Sequence, residues 1–97
     1  MTIVLADHGR MFATRGQAHE LPKGDGATRT ITVDATDVYM SPSFIAELLV
    51  TLVEERDYEH VLVRGARQRP AEVAKHLAEK FGFANRVEVE QPTLPTT

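Results

Sequence analysis

The chain reads as an α/β fold on a small mixed, partly parallel sheet. Two apolar runs of strand length, 31–35 and 60–63, are each followed within a few residues by an amphipathic helical pattern, 42–55 and 70–81. A parallel strand cannot be reached by a tight turn, so strand, helix, strand, helix with short connections predicts crossovers and parallel pairing. At 97 residues, 42% of them hydrophobic and 26% charged, the chain suits one globular core and leaves no material for a second.

Taken in order, Ile3 to Ala6 is a short apolar run ended by Asp7-His8-Gly9, and Met11-Phe12-Ala13 is a second one, which predicts an N-terminal hairpin. Thr14 and Gln17 stand at capping-box spacing and open a short helix whose Ala18 and Leu21 face inward; Pro22 and Gly24 end it. Residues 23–27 form a turn within one fold. Ile31, Val33 and Ala35 then alternate with Thr32, Asp34 and Thr36, the period of a strand with one buried face. After a turn at 37–40, Ser41 is the N-cap and Pro42 the first helical residue, where its missing N–H costs nothing. Phe44, Ile45, Leu48, Leu49, Leu52 and Val53 share the core face of that helix. His60 to Val63 is a second central strand, and Arg69-Pro70 opens a helix with Val73, Ala74, Leu77, Ala78 and Phe81 inward and Gly82 as its left-handed cap. Val87 and Val89 alternate with charges in an edge strand at 86–90. The expected organisation is one β-α-β-α-β domain over 1–90, preceded by its hairpin, and a flexible tail over 91–97.

Several chemistries are closed or unsupported. The absence of cysteine removes disulfides, thiolate metal sites and thiol nucleophiles. No apolar run approaches the ~20 residues of a membrane span, and the N-terminus lacks the pattern of a secretion signal, so a cytoplasmic protein without membrane contact is expected. A net charge of -3 argues against nonspecific nucleic-acid binding. No phosphate-binding glycine loop, dinucleotide fingerprint or nucleophile elbow is present, and the four histidines lack metal-ligand spacing; no cofactor, metal or catalytic residue is assigned.

The turns 37–43 and 64–69 both leave the C-terminal ends of parallel strands and both open helices, so they should share one rim, the usual meeting place for ligands in open α/β sheets. Asp34 and Asp37 there read as strand and turn residues, with a metal or phosphoryl role as the sharper alternative. Arg64, Arg67 and Arg69 around Gly65 make a candidate anion-binding loop at a helix N-terminus. Ser41 reads as a cap before it reads as a nucleophile.

With these residues in place, GRMFATRGQAHEL and ITVDATDVYMSPSFIAELL together resemble the STAS-like domains, relatives of the STAS domain of bacterial anti-sigma factor antagonists. The likeness runs from Gly9 to about Val89 and rests on Asp34-Ala35-Thr36-Asp37-Val38 leading into Ser41-Pro42-Ser43-Phe44 and Glu47. It implies a non-enzymatic regulatory or adaptor module that binds a protein partner, such as a kinase or ATPase-like regulator, through the serine turn and the helix after it. The implied partner-binding residues are Tyr39, Met40, Ser41, Pro42, Ser43 and Glu47. In the antagonists a serine of this turn is phosphorylated to switch binding. Here Pro42 stands at that position, which leaves Ser43 or Ser41 as phosphoacceptor or removes the switch; Ser43 is the candidate and constitutive binding the expectation. Two other readings stand beside this one. One is an anion or small-molecule sensor using the helix starts at 41–43 and 67–69. The other is an assembly protein whose edge strand pairs with a second copy in a homodimer.

Overall fold

Ile31, Val33, Val61 and Val63 are all buried, and they lie side by side in the two strands at the centre of the sheet. The structure, a computed structural model, describes residues 1–22 and 29–90. The turn expected at 23–27 and the tail expected at 91–97 lie outside the described residues. Strands β1 (Thr2–Val4), β2 (Met11–Phe12), β3 (Thr30–Asp34), β4 (Tyr39–Met40), β5 (His60–Arg64) and β6 (Val87–Val89) alternate with helices α1 (Arg15–His19), α2 (Pro42–Val50) and α3 (Gln68–Lys80). The main sheet has the order β1-β3-β5-β6, and β2 and β4 form a separate two-stranded ribbon.

Every pairing between described strands is parallel, which corrects both the mixed sheet and the N-terminal hairpin. The first apolar run does not fold back on the second. Leu5–Asp7 makes a 3-10 turn that carries the chain away, β1 pairs with β3 at Ile3↔Val33, and β2 pairs with β4 at Phe12↔Met40. The physical reason is burial. Beside β3, Ile3 joins the continuous apolar layer formed with Ile31 and Val33, whereas a two-strand hairpin has no such face to offer. The tetrapeptide expected as a plain turn before Ser41 therefore contains strand β4.

Partners in a parallel register share a face. Ile3, Ile31, Val33, Val61, Val63 and Val87 point to one side and are buried beneath the helices, with α1 against α2 and α2 against α3. The opposite side presents Thr2, Thr30, His60, Arg64 and Glu88 exposed and Thr32, Asp34 and Leu62 half-buried, and no described element packs on it. The molecule is thus two layers. Phe44 is fully buried on α2, its ring 5.0 Å from that of Phe12, so it joins the ribbon to the helical layer. Burying a phenylalanine of this kind contributes about 1.5–3 kcal/mol.

The amphipathic face of α2 agrees with its spacing: Phe44, Ile45, Leu48 and Leu49 are buried. The helix runs on through a π turn, Thr51–Glu55, in which the N–H of Arg56 bonds to the Thr51 carbonyl, and Leu52 and Val53 stay in the core. The Thr51 hydroxyl is buried there without a hydrogen-bond partner among the described residues. Helix α3 begins two residues earlier than Pro70 suggests, at Gln68, and Pro70 is its third residue, still within the turn whose N–H groups have no intrahelical acceptor. Ala71, Ala74 and Ala78 carry the buried stripe, Val73 and Leu77 are only half-covered, and Phe81 is 37% exposed, which shifts the inward face away from that expected. Gly82 has φ +80°, as its capping role requires. Among the described residues no helix is long and apolar enough to cross a membrane.

Candidate functional site

Because β3 and β5 are parallel neighbours, the turns that leave them meet at one end of the sheet. Asp34 and Arg64 are register partners there. The Asp34 carboxylate accepts from the Thr36 hydroxyl at 2.6 Å and from the Thr36 N–H at 3.0 Å. These two bonds, aided by the charge of Arg64 and opposed by partial desolvation, hold the Asp34 carboxyl below its usual range. The β5 exit packs onto this turn. A Cβ on Gly65 would stand 2.2 Å from the Thr36 hydroxyl oxygen, and its φ of +74° is one that only glycine adopts without strain. Asp37, at φ +59°, is a left-handed turn residue. Asp34 and Asp37 are thus explained by the turn they build.

The start of α2 is fixed from three directions. Ser41 Oγ accepts from the Phe44 N–H at 3.1 Å and donates to the Ala13 carbonyl at 3.0 Å, while the Ser41 N–H bonds to the Phe12 carbonyl. The Ser41 hydroxyl is committed to holding β2 and α2 together. Pro42 and Ser43 are exposed on the first turn. Tyr39 is 51% exposed, beside its register partner Met11 at 67%, so the ribbon offers two large apolar side chains to solvent. Met40, by contrast, is 3% exposed and belongs to the core, so it is not available as the partner contact expected of it. Glu47 is half-buried, and its carboxylate lies 2.7 Å from His19 Nε2; His19 Nδ1 is 3.4 Å from Glu55. Glu47 therefore ties α2 to α1.

The three candidate anion-binding arginines do not converge. Arg64 ends β5 in register with Asp34, on the face turned away from the helices. Arg67 flanks a small hollow with Arg10, Asp37, Val38, Tyr39 and Pro70. Arg69 lies elsewhere, in an open groove of about 760 Å³ between α2 and α3. Pro42, Ser43 and Ala46 form one wall of that groove and Val73 and Leu77 the other, with Arg15, Arg69, Glu72 and His76 around them. Sequence reasoning placed Ser43 and Arg69 at one rim, and the groove joins them. It missed Arg15, Ala46, Glu72 and His76. A signal for α3 was available: 69, 72, 73, 76 and 77 recur at helical spacing beside the buried stripe, so Val73 and Leu77 stand at the seam between core and groove. No sequence signal exists for Arg15, which reaches the groove only because α1 packs against α2.

Comparison with known protein families, with curated proteins and with solved structures finds no match for this chain.

Proposed function

We propose that this chain is a non-enzymatic STAS-like docking module that binds a protein partner, in the manner of a kinase or ATPase-like regulator, through the α2–α3 groove and the ribbon beside it. The observation that carries the reading is the groove itself. It opens along the first turns of α2, where the resemblance implies partner contact, and it combines aliphatic walls with a charged rim, as the core and rim of a protein interface do. Exposed Tyr39 and Met11 extend the apolar surface at the same end.

Binding on this reading is constitutive. Pro42 has no hydroxyl and that of Ser41 is engaged at both its donor and its acceptor, which leaves Ser43 as the candidate serine phosphoacceptor. The sensor reading is less favoured because Arg64, Arg67 and Arg69 face three different surroundings.

The test is affinity capture from the source cell with wild type, Ala46→Arg, Ser43→Tyr and, as a control on the far face of the sheet, Glu88→Lys. A shared thermal transition would show that all four are folded. Partners held by wild type and Glu88→Lys but lost from both groove variants are expected. Equal capture by all four would remove the groove from the account.

A further inference from the structure

We infer that the partner segment seated in the α2–α3 groove is acidic, an aliphatic side chain flanked by aspartate or glutamate. This rests on the docking reading above and names the chemistry of its ligand. The basis is the distribution of engaged and unpaired arginines; Arg64, Lys75 and Lys80 are also without an ion pair among the described residues. Away from the rim, Arg29 pairs with Glu59 at 2.6 Å, and Arg56 donates to the carbonyls of Leu21 and Pro22 at 2.9 and 3.0 Å. Arg86 donates to Asp57 and to the Tyr58 carbonyl. At the rim, Arg10, Arg15, Arg67 and Arg69 are exposed, and none has an ion-pair partner within 4 Å among the described residues. Two of these unpaired guanidinium groups, Arg15 and Arg69, line the groove, and Arg10 and Arg67 border the neighbouring hollow, in a chain of net charge -3. The planar guanidinium presents a fork of donors that matches a carboxylate.

The opposing charges nearby are limited. Asp34 is occupied by Thr36, Asp37 lies with Arg10 and Arg67 at the neighbouring hollow, and Glu72, the one carboxylate in the groove lining, accepts from Gln68 Nε2 at 3.2 Å. Arg15 and Arg69 therefore flank aliphatic walls made by Pro42, Ala46, Val73 and Leu77. An aliphatic anchor with acidic neighbours satisfies both features at once. Single-stranded nucleic acid satisfies the charge but not the aliphatic walls, since the one aromatic ring in the groove lining is the His76 imidazole at its rim.

The experiment uses the full chain labelled with ¹⁵N and three probes at low salt. The first is a short synthetic peptide with leucine flanked by Asp and Glu, the second is its twin with Asn and Gln at every acidic position, and the third is an oligothymidylate. The acidic peptide should bind about tenfold or more tighter than its twin, shift the Ala46, Val73 and Leu77 resonances, and weaken as salt screens the contact. Arg15→Gln combined with Arg69→Gln should lower its affinity about tenfold, and Glu72→Gln should raise it. Equal binding of both peptides with groove shifts would overturn the acidic assignment and leave docking intact. Tighter binding of the oligonucleotide, or no groove shift with either peptide, would also overturn it. Failure of docking itself is read separately, from the capture variants.

Discussion

At Asp34 the Thr36 hydroxyl and N–H, with Arg64 adjoining, hold the carboxyl below its ordinary value of 3.8. A carboxyl whose folded value is depressed binds its proton less readily in the native state than in the unfolded one. Its contribution to stability is complete above the unfolded value and is lost as pH falls through the folded one. Asp34→Asn keeps a side-chain acceptor for Thr36 but does not titrate. The variant should be less stable than wild type at pH 6, and the gap should narrow as pH falls from about 5 toward 2. Urea unfolding at several pH values measures it, and a gap that does not change with pH would contradict the assignment. The same residue explains Gly65, whose missing side chain lets the β5 exit lie against the Asp34–Thr36 turn.

Helix α1 has five residues, too few to persist alone, so its ends must be held by neighbours. Gln17 Oε1 accepts from the N–H groups of Ala13 and Thr14 at 2.8 and 3.0 Å, and its amide donates to the Met11 carbonyl at 2.8 Å. At the other end Arg56 donates to the carbonyls of Leu21 and Pro22 just past the helix, and His19 meets Glu47 and Glu55. Arg56→Met leaves those carbonyls without their donor and should cost about 1–3 kcal/mol. Amide exchange should quicken over α1 before it quickens over α3, and uniform quickening would show that the clamp is not local. The capping box and the Ser41-Pro42 helix start were legible because each rests on neighbouring residues. Strand β4 was not, since two residues carry no period, and β2 was legible as an apolar run but not in its partner. The hairpin failed for a related reason: short apolar runs do not state their partner, and Ile3 finds deeper burial beside Val33 than a hairpin offers. Arg56, Arg15 and Glu47 gained their contacts from α1 lying on α2, a tertiary arrangement that no local spacing encodes.

At the scale of the whole molecule, the alternating strands bury one face beneath three helices and leave the other lined largely by polar side chains. Parallel sheets are usually covered on both faces, and here Thr2, Thr32, Asp34 and Glu88 suit the uncovered one to water. The groove lies on the helical side. There the parallel order brings the starts of α2 and α3 together, and Ala46 opposite Val73 and Leu77 leaves the groove open. Parallel order and the common rim could be read from strand and helix succession. The groove could not, because its width depends on how far apart two helices settle. On the docking reading a protein partner occupies it. The most direct measurement places a photocrosslinking amino acid at His76, on the groove rim, and in a second version at Thr32, on the open sheet face, each in the source cell. A discrete protein adduct is expected from position 76 and not from position 32; the same adducts from both positions, or an adduct from position 32 alone, would rule out a partner in the groove.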